Sequence, residues 1–180
     1  MSNFIVQFPL ITEKYQEDIL NKRFEIGRKI YNSLVTISQK RYKEMIKTKK
    51  YRNLLSQITN DKKKDKLVYK EIDLMRKKYG LTEYSLHADV KEMQKHFRNN
   101  IDSFTAQKIA SNLWRAYSKL FYGNGKDVHY KRYDTLNSLE GKANNTGIKF
   151  KNDKLIWNGL SIPVKIDYNN PYEYQAMQSE

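Results

Sequence analysis

The hydrophobic pattern of this chain changes period twice, and that order of periods limits the architectures open to it. Residues 4–10 alternate: Phe4, Val6, Phe8 and Leu10 fall on one face, as in a half-buried strand, and Pro9 marks an edge or a strand end. From Thr12 the spacing becomes three and four. Leu20, Phe24, Gly27, Tyr31, Leu34, Ser38, Tyr42 and Met45 form one stripe of a long helix. Ile26, Ile30 and Ile37 lie near the edge of the opposite face, which predicts a second cover there. A hinge or second helix follows through Leu54, Leu55 and Ile58, and residues 61–66 read as an exposed turn. Helical patterns resume over 67–79, ending at Gly80, and again from Thr82, with Leu86, Val90, Met93 and Phe97 inward. Asp102 or Ser103 caps the next helix, whose stripe is Ala106, Ile109, Ala110, Leu113, Tyr117, Leu120 and Phe121. Gly123-Asn124-Gly125 stops it.

Beyond Lys126 the period returns to two. Val128 and Tyr130 alternate with polar residues, and an Asn- and Gly-rich loop runs from Asp134 to Gly147. Ile148 and Phe150, Leu155 and Trp157, and Leu160, Ile162, Val164 and Ile166 then predict a meander with turns at Asn152-Asp153 and Asn158-Gly159. A lone N-terminal strand cannot satisfy its own backbone, so it is expected to pair with the C-terminal strands. The expected fold is α+β: a helical lobe, residues 12–126, inserted after the first strand of a small antiparallel β-module formed by residues 1–11 and 127–180.

Charge follows the same partition. The chain carries 34 Lys and Arg against 20 Asp and Glu, a net +14. Residues 1–11 are uncharged, residues 12–132 hold 29 basic and 14 acidic residues, and residues 133–180 hold 5 and 6. The whole excess lies among the helices. Lys22, Lys29, Lys40, Lys43 and Lys47 project from the long helix away from its apolar stripe, and Lys91, Lys95, Lys108 and Arg115 add cations on later helices. Basic faces of this kind neutralise successive phosphates and release counterions. Any one such face is by itself ordinary solvated surface; four of them with few compensating acids point to a polyanion. Tyrosine, with 14 copies, is interleaved with the basic residues, and an aromatic face can stack on a base. Tyr31, Tyr42 and Tyr117 sit on apolar stripes and are expected in the core; Tyr84 and Tyr133 are the better contact candidates.

Enzymatic chemistry finds no footing. There is no cysteine, which removes thiolate metal sites, cysteine nucleophiles and disulfides. His87, His96 and His129 lack a metal-site spacing and are expected at the surface. No Gly-rich phosphate loop or Ser/His/Asp arrangement is present, so no catalytic residue, metal or cofactor is expected. The N-terminus has no signal-peptide pattern, and no apolar run approaches the ~20 residues of a membrane span. A cytoplasmic protein without a membrane partner is expected.

Several stretches, in order, resemble the N-terminal half of transposon-encoded TnpB/OrfB proteins, the insertion-sequence "transposases" that act as RNA-guided DNA nucleases. They are residues 21–32 (NKRFEIGRKIYN), 79–86 (YGLTEYSL), 100–110 (NIDSFTAQKIA) and 137–142 (NSLEGK). The resemblance spans nearly the whole chain. It implies a helical recognition lobe within a wedge-like β-barrel, with guide RNA and target DNA as partners. It also implies that Ser103, Phe104 and Gln107 form an edge reading a short motif beside the DNA target, with Tyr84, Asn144 and Asn145 as companions. Gln and Asn suit that role because each pairs bidentately with adenine. The family's nuclease half, with its three metal-binding acids and four-cysteine zinc ribbon, has no counterpart in these 180 residues. The chain is therefore expected to bind without cutting, with a separate nuclease-half polypeptide as a further partner to seek. The competing expectation is a basic helical adaptor docked on an acidic protein; a functionless fragment and a membrane-surface binder rank below it.

Overall fold

The structure, a computed structural model, describes residues 7–59, 61, 63–123, 125–166 and 178–179. In chain order they form α1 (Lys14–Ile46), α2 (Lys49–Ser56), α3 (Lys66–Lys78), α4 (Glu83–His96), α5 (Ser103–Tyr122), β1 (Leu139–Glu140), β2 (Lys149–Lys151), β3 (Lys154–Trp157), β4 (Leu160–Pro163) and β5 (Gln178–Ser179). The class is α+β, with a small antiparallel sheet in the order β2-β3-β4. The chain divides into two compact units, Met1–Ile30 with Lys91–Ile109 and Lys131–Glu180, and Tyr31–Val90 with Ala110–Tyr130.

The first unit holds the sheet. Asn152 and Asp153 have φ of 51° and 57°, and Asn158 and Gly159 have φ of 47° and 83°. Positive φ at both central residues matches the twist of the flanking strands, so each pair closes a two-residue hairpin. The register pairs Phe150 with Leu155 and Leu155 with Ile162, and it sends Leu155, Trp157, Leu160 and Ile162 to the buried face. Leu20, Ile26 and Ile30 of α1, and Ile101, Ala106 and Ile109 around the start of α5, are also buried in this unit. The edge of β4 is met by the N-terminal segment. Leu10 bridges Val164, Ile11 N donates to Pro163 O at 2.8 Å, and Lys165 N donates to Pro9 O at 2.9 Å. Phe8 stacks on Phe150 with ring centroids 6.2 Å apart. The alternating strand expected over residues 4–10 is an isolated bridge at Leu10 among the described residues; Phe4 and Val6 lie outside them.

The second unit is helical. Met45, Tyr51, Leu54, Ile72, Met75 and Leu81 form its centre, with Tyr42, Val68, Tyr79 and Phe121 packed around them. The buried Arg76 guanidinium lies 4.4 Å from the Phe121 ring centroid and donates to Asp73 at 2.7 Å. Arg41 clamps the Asp89 carboxylate through both terminal nitrogens.

The expected stripe of α1 is buried or half-buried at every position, and Ile26 and Ile30 are buried on the other side as expected. Three expectations are corrected. The sheet is open: three strands of three or four residues are too few and too short to close a barrel. Residues 128–130 form no strand; Val128 is buried, but its carbonyl accepts from the Gln39 side chain at 2.9 Å. The loop at 134–147 contains β1, which pairs with β5. In the turn, Asp61, Lys63, Lys64 and Lys66 are exposed, whereas Asp65 is buried and its carboxylate accepts from Thr59 N and Oγ1.

Candidate nucleic-acid interface

Asp102 organises the start of α5. Its Oδ1 accepts from Phe104 N at 2.9 Å and Thr105 N at 3.0 Å, an N-cap that satisfies two orphan donors of the first turn. Its Oδ2 accepts from Thr105 Oγ1 at 2.6 Å and from the Trp157 indole at 2.8 Å. The carboxylate therefore caps the helix and ties it to β3. Behind it, Arg23 lies 4.6 Å from the Trp157 ring centroid and donates to Trp157 O and Asn158 O, each at 2.8 Å. Burial lowers the Arg23 guanidinium from its ordinary value, and the Asp102 charge opposes that shift.

This arrangement holds the first turn of α5 rigid and leaves its outer side accessible. Ser103 is exposed, and Phe104 and Gln107 are half-buried. Lys142, from the segment after β1, reaches across them. Its ammonium is 5.8 Å from the Phe104 ring centroid and donates to Gln107 Oε1 at 3.3 Å. An aromatic ring, a primary amide and an ammonium converge on one edge, with a hydroxyl at its start. Lys108, one position further on, pairs with Glu140 at 3.3 Å. Lys142 belongs to the 137–142 run but was not among the expected contact residues; a contact between residues 104 and 142 is long-range and leaves no periodic trace.

The companions separate. Asn145 is exposed, but the Asn144 amide is consumed: its Oδ1 accepts from Phe150 N at 2.6 Å and its Nδ2 donates to Phe150 O at 3.1 Å. Asn144 thus splints the loop to β2 instead of facing a ligand. Also in this unit, Lys22, Lys29 and Lys91 are exposed, and Lys95 pairs with Glu92 at 2.7 Å. Tyr133 is exposed, with the Arg28 guanidinium 5.9 Å from its ring centroid.

In the helical unit Tyr84 is 85% exposed. Its helix is tied to α5 by Ser111, which donates to Glu83 Oε1 at 2.6 Å and lies 2.9 Å from His87 Nε2. His87 is half-buried, and the serine bridges acid and imidazole, so the group is a structural relay. Arg115 donates to Asn112 at 2.8 Å. Lys40, Lys43 and Lys47 are exposed and form no salt bridge among the described residues. No family model, curated protein or solved structure matches this chain.

The physical character of the surface stands without a relative. In the sheet-bearing unit, Lys22 and Lys29 stand seven residues apart on one face of α1; in the helical unit, Lys40 and Lys43 stand three apart on α1, and Lys47 follows its last residue. Among the described residues no group of three or more His, Cys, Asp or Glu is placed to hold a metal ion, and no helix is long and apolar enough to cross a membrane.

Proposed function

We propose that the chain is the nucleic-acid-binding portion of a TnpB-like RNA-guided nuclease, holding guide RNA on its basic helical faces and reading a target-flanking DNA motif at the start of α5. The observation that carries this reading is that the lysines along α1 and just after it, Lys22, Lys29, Lys40, Lys43 and Lys47, are exposed and form no salt bridge with acids within the described residues. A phosphate strand binds exposed ammonium groups through counterion release, without base recognition. The Phe104, Gln107 and Lys142 edge supplies the complementary chemistry, since an amide pairs with adenine and a cation binds phosphate or guanine.

On this reading residues 12–126 are the inserted recognition lobe, and the pairing of residues 9–11 with the edge of β4 supports the insertion. The open three-stranded sheet and the β1-β5 pair then belong to the wedge-like module. The test is to purify the full chain from its own cells with and without ribonuclease treatment and to sequence what it retains. A discrete set of structured RNAs is expected. Retention of no RNA, together with no binding of structured RNA at low salt, contradicts the reading.

A further inference from the structure

α3 turns Ile72, Met75 and Arg76 into the core of its unit, yet its outer side is not simply polar. Leu67 and Leu74, seven residues apart and so on one face, are 74% and 51% exposed. Lys66, Lys70 and Lys77 lie along one side of the leucines, and together with Tyr69 and Asp73 these residues line a shallow groove on the helix. Asp73 is already engaged by Arg76 at 2.7 Å and by the Tyr122 hydroxyl at 2.8 Å. Lys66, Lys70 and Lys77 form no salt bridge among the described residues. The face therefore presents two large apolar knobs beside a row of three lysines.

We propose that this face of α3 docks an acidic amphipathic helix of another protein. Rows of side chains separated by a groove are the surface against which a second helix packs. A partner with leucine-like residues at helical spacing fills the groove beside Leu67 and Leu74 and sets carboxylates against the three lysines. Charge decides among the possible occupants. A second copy of this chain brings the same three lysines against themselves. A phosphate strand satisfies the lysines but leaves both leucines in water. Two leucines on a 13-residue helix are a small apolar face for holding a membrane surface. The inference is independent of the RNA-guided reading, because it concerns a different surface and a different kind of ligand.

The test uses the full chain and two fluorescent helical peptides of identical Leu and Glu composition. One repeats leucine at helical spacing between glutamates; the other is shuffled so that no apolar face forms. Anisotropy titrations should show the patterned peptide binding at least about ten-fold more tightly than the shuffled one. Leu67→Ser with Leu74→Ser should weaken the patterned peptide by about ten-fold and leave the affinity for a short RNA hairpin unchanged. Because both leucines are exposed, thermal melting of that variant should match the parent; if it does not, Lys66→Gln with Lys70→Gln and Lys77→Gln asks the same question through charge. Equal binding of the two peptides overturns the proposal, as does a patterned-peptide affinity untouched by either variant. Loss of hairpin binding in the leucine variant assigns the face to RNA, and loss of a dimer in sedimentation assigns it to a second copy; either result also overturns it.

Discussion

Asp102 gathers four hydrogen bonds onto one carboxylate, two from the first turn of α5, one from a threonine hydroxyl and one from an indole in β3. Its removal leaves a buried indole N–H and two helix donors unsatisfied. Asp102→Ala should cost about 2–4 kcal/mol in chemical denaturation, more than a surface cap, which costs about 1 kcal/mol. Gly147 is held at φ 68°, and a Cβ there would stand 2.6 Å from Asp102 Oδ1. Gly147→Ala therefore combines backbone strain with displacement of the same carboxylate, and a loss of about 2 kcal/mol or more is expected in the same assay. Tyr117 behaves differently. Its hydroxyl and that of Ser38 are buried without a well-formed hydrogen bond, and burial pushes the phenol above its ordinary value. Folding thus favours the neutral phenol: the associated stability is fully present below the unfolded value of about 10 and is lost as pH rises beyond it toward the folded value. Tyr117→Phe should change stability at neutral pH by less than about 1 kcal/mol and flatten the alkaline loss, measured by urea unfolding across pH 8–11. The capping role of Asp102 was legible in the sequence because caps act locally. Its bond to Trp157 was not, because that bond joins residues 55 apart, and the same distance effect hid Lys142.

At the level of elements, periodicity and turn chemistry were enough where packing is one-sided. α1, α4 and α5 lie where their three-and-four spacing puts them, and both hairpins of the sheet close at the Asn-containing pairs. Replacing Asn158-Gly159 by Ala-Ala should cost about 2–3 kcal/mol, since both residues occupy the left-handed region that alanine disfavours. Failure to destabilise in a thermal melt would mean that packing of Trp157 and Leu160, not the turn, holds the register. Elements satisfied by side chains instead of a ladder escaped the pattern. Residues 128–130 alternate like a strand, but Gln39 takes the Val128 carbonyl and no neighbouring strand is needed. β1 has only two residues, too few to show a period. Asn144 has the composition of a ligand-facing loop residue, yet both ends of its amide are spent on Phe150. Amide-rich loops cannot be divided by sequence into splints and readers.

For the molecule as a whole, the governing quantity is the unneutralised charge of the helices. A net +14 on 180 residues repels itself unless a polyanion or salt screens it. The Lys95–Glu92 and Lys50–Glu71 pairs are exposed and contribute little to stability, so they leave those cations available to phosphate. The account predicts that affinity for structured RNA falls steeply with salt and that the slope counts the cations engaged. The most direct measurement is the dissociation constant of a structured RNA across a salt series, for the parent chain and for Lys40→Gln with Lys43→Gln and Lys47→Gln. With each phosphate contact adding about 0.7 to the log–log slope, the triple variant should reduce its magnitude by about 2 while retaining the parent's melting behaviour. Identical slopes for the two proteins, or an affinity indifferent to salt, would contradict the claim that the lysine face of α1 binds a phosphate strand.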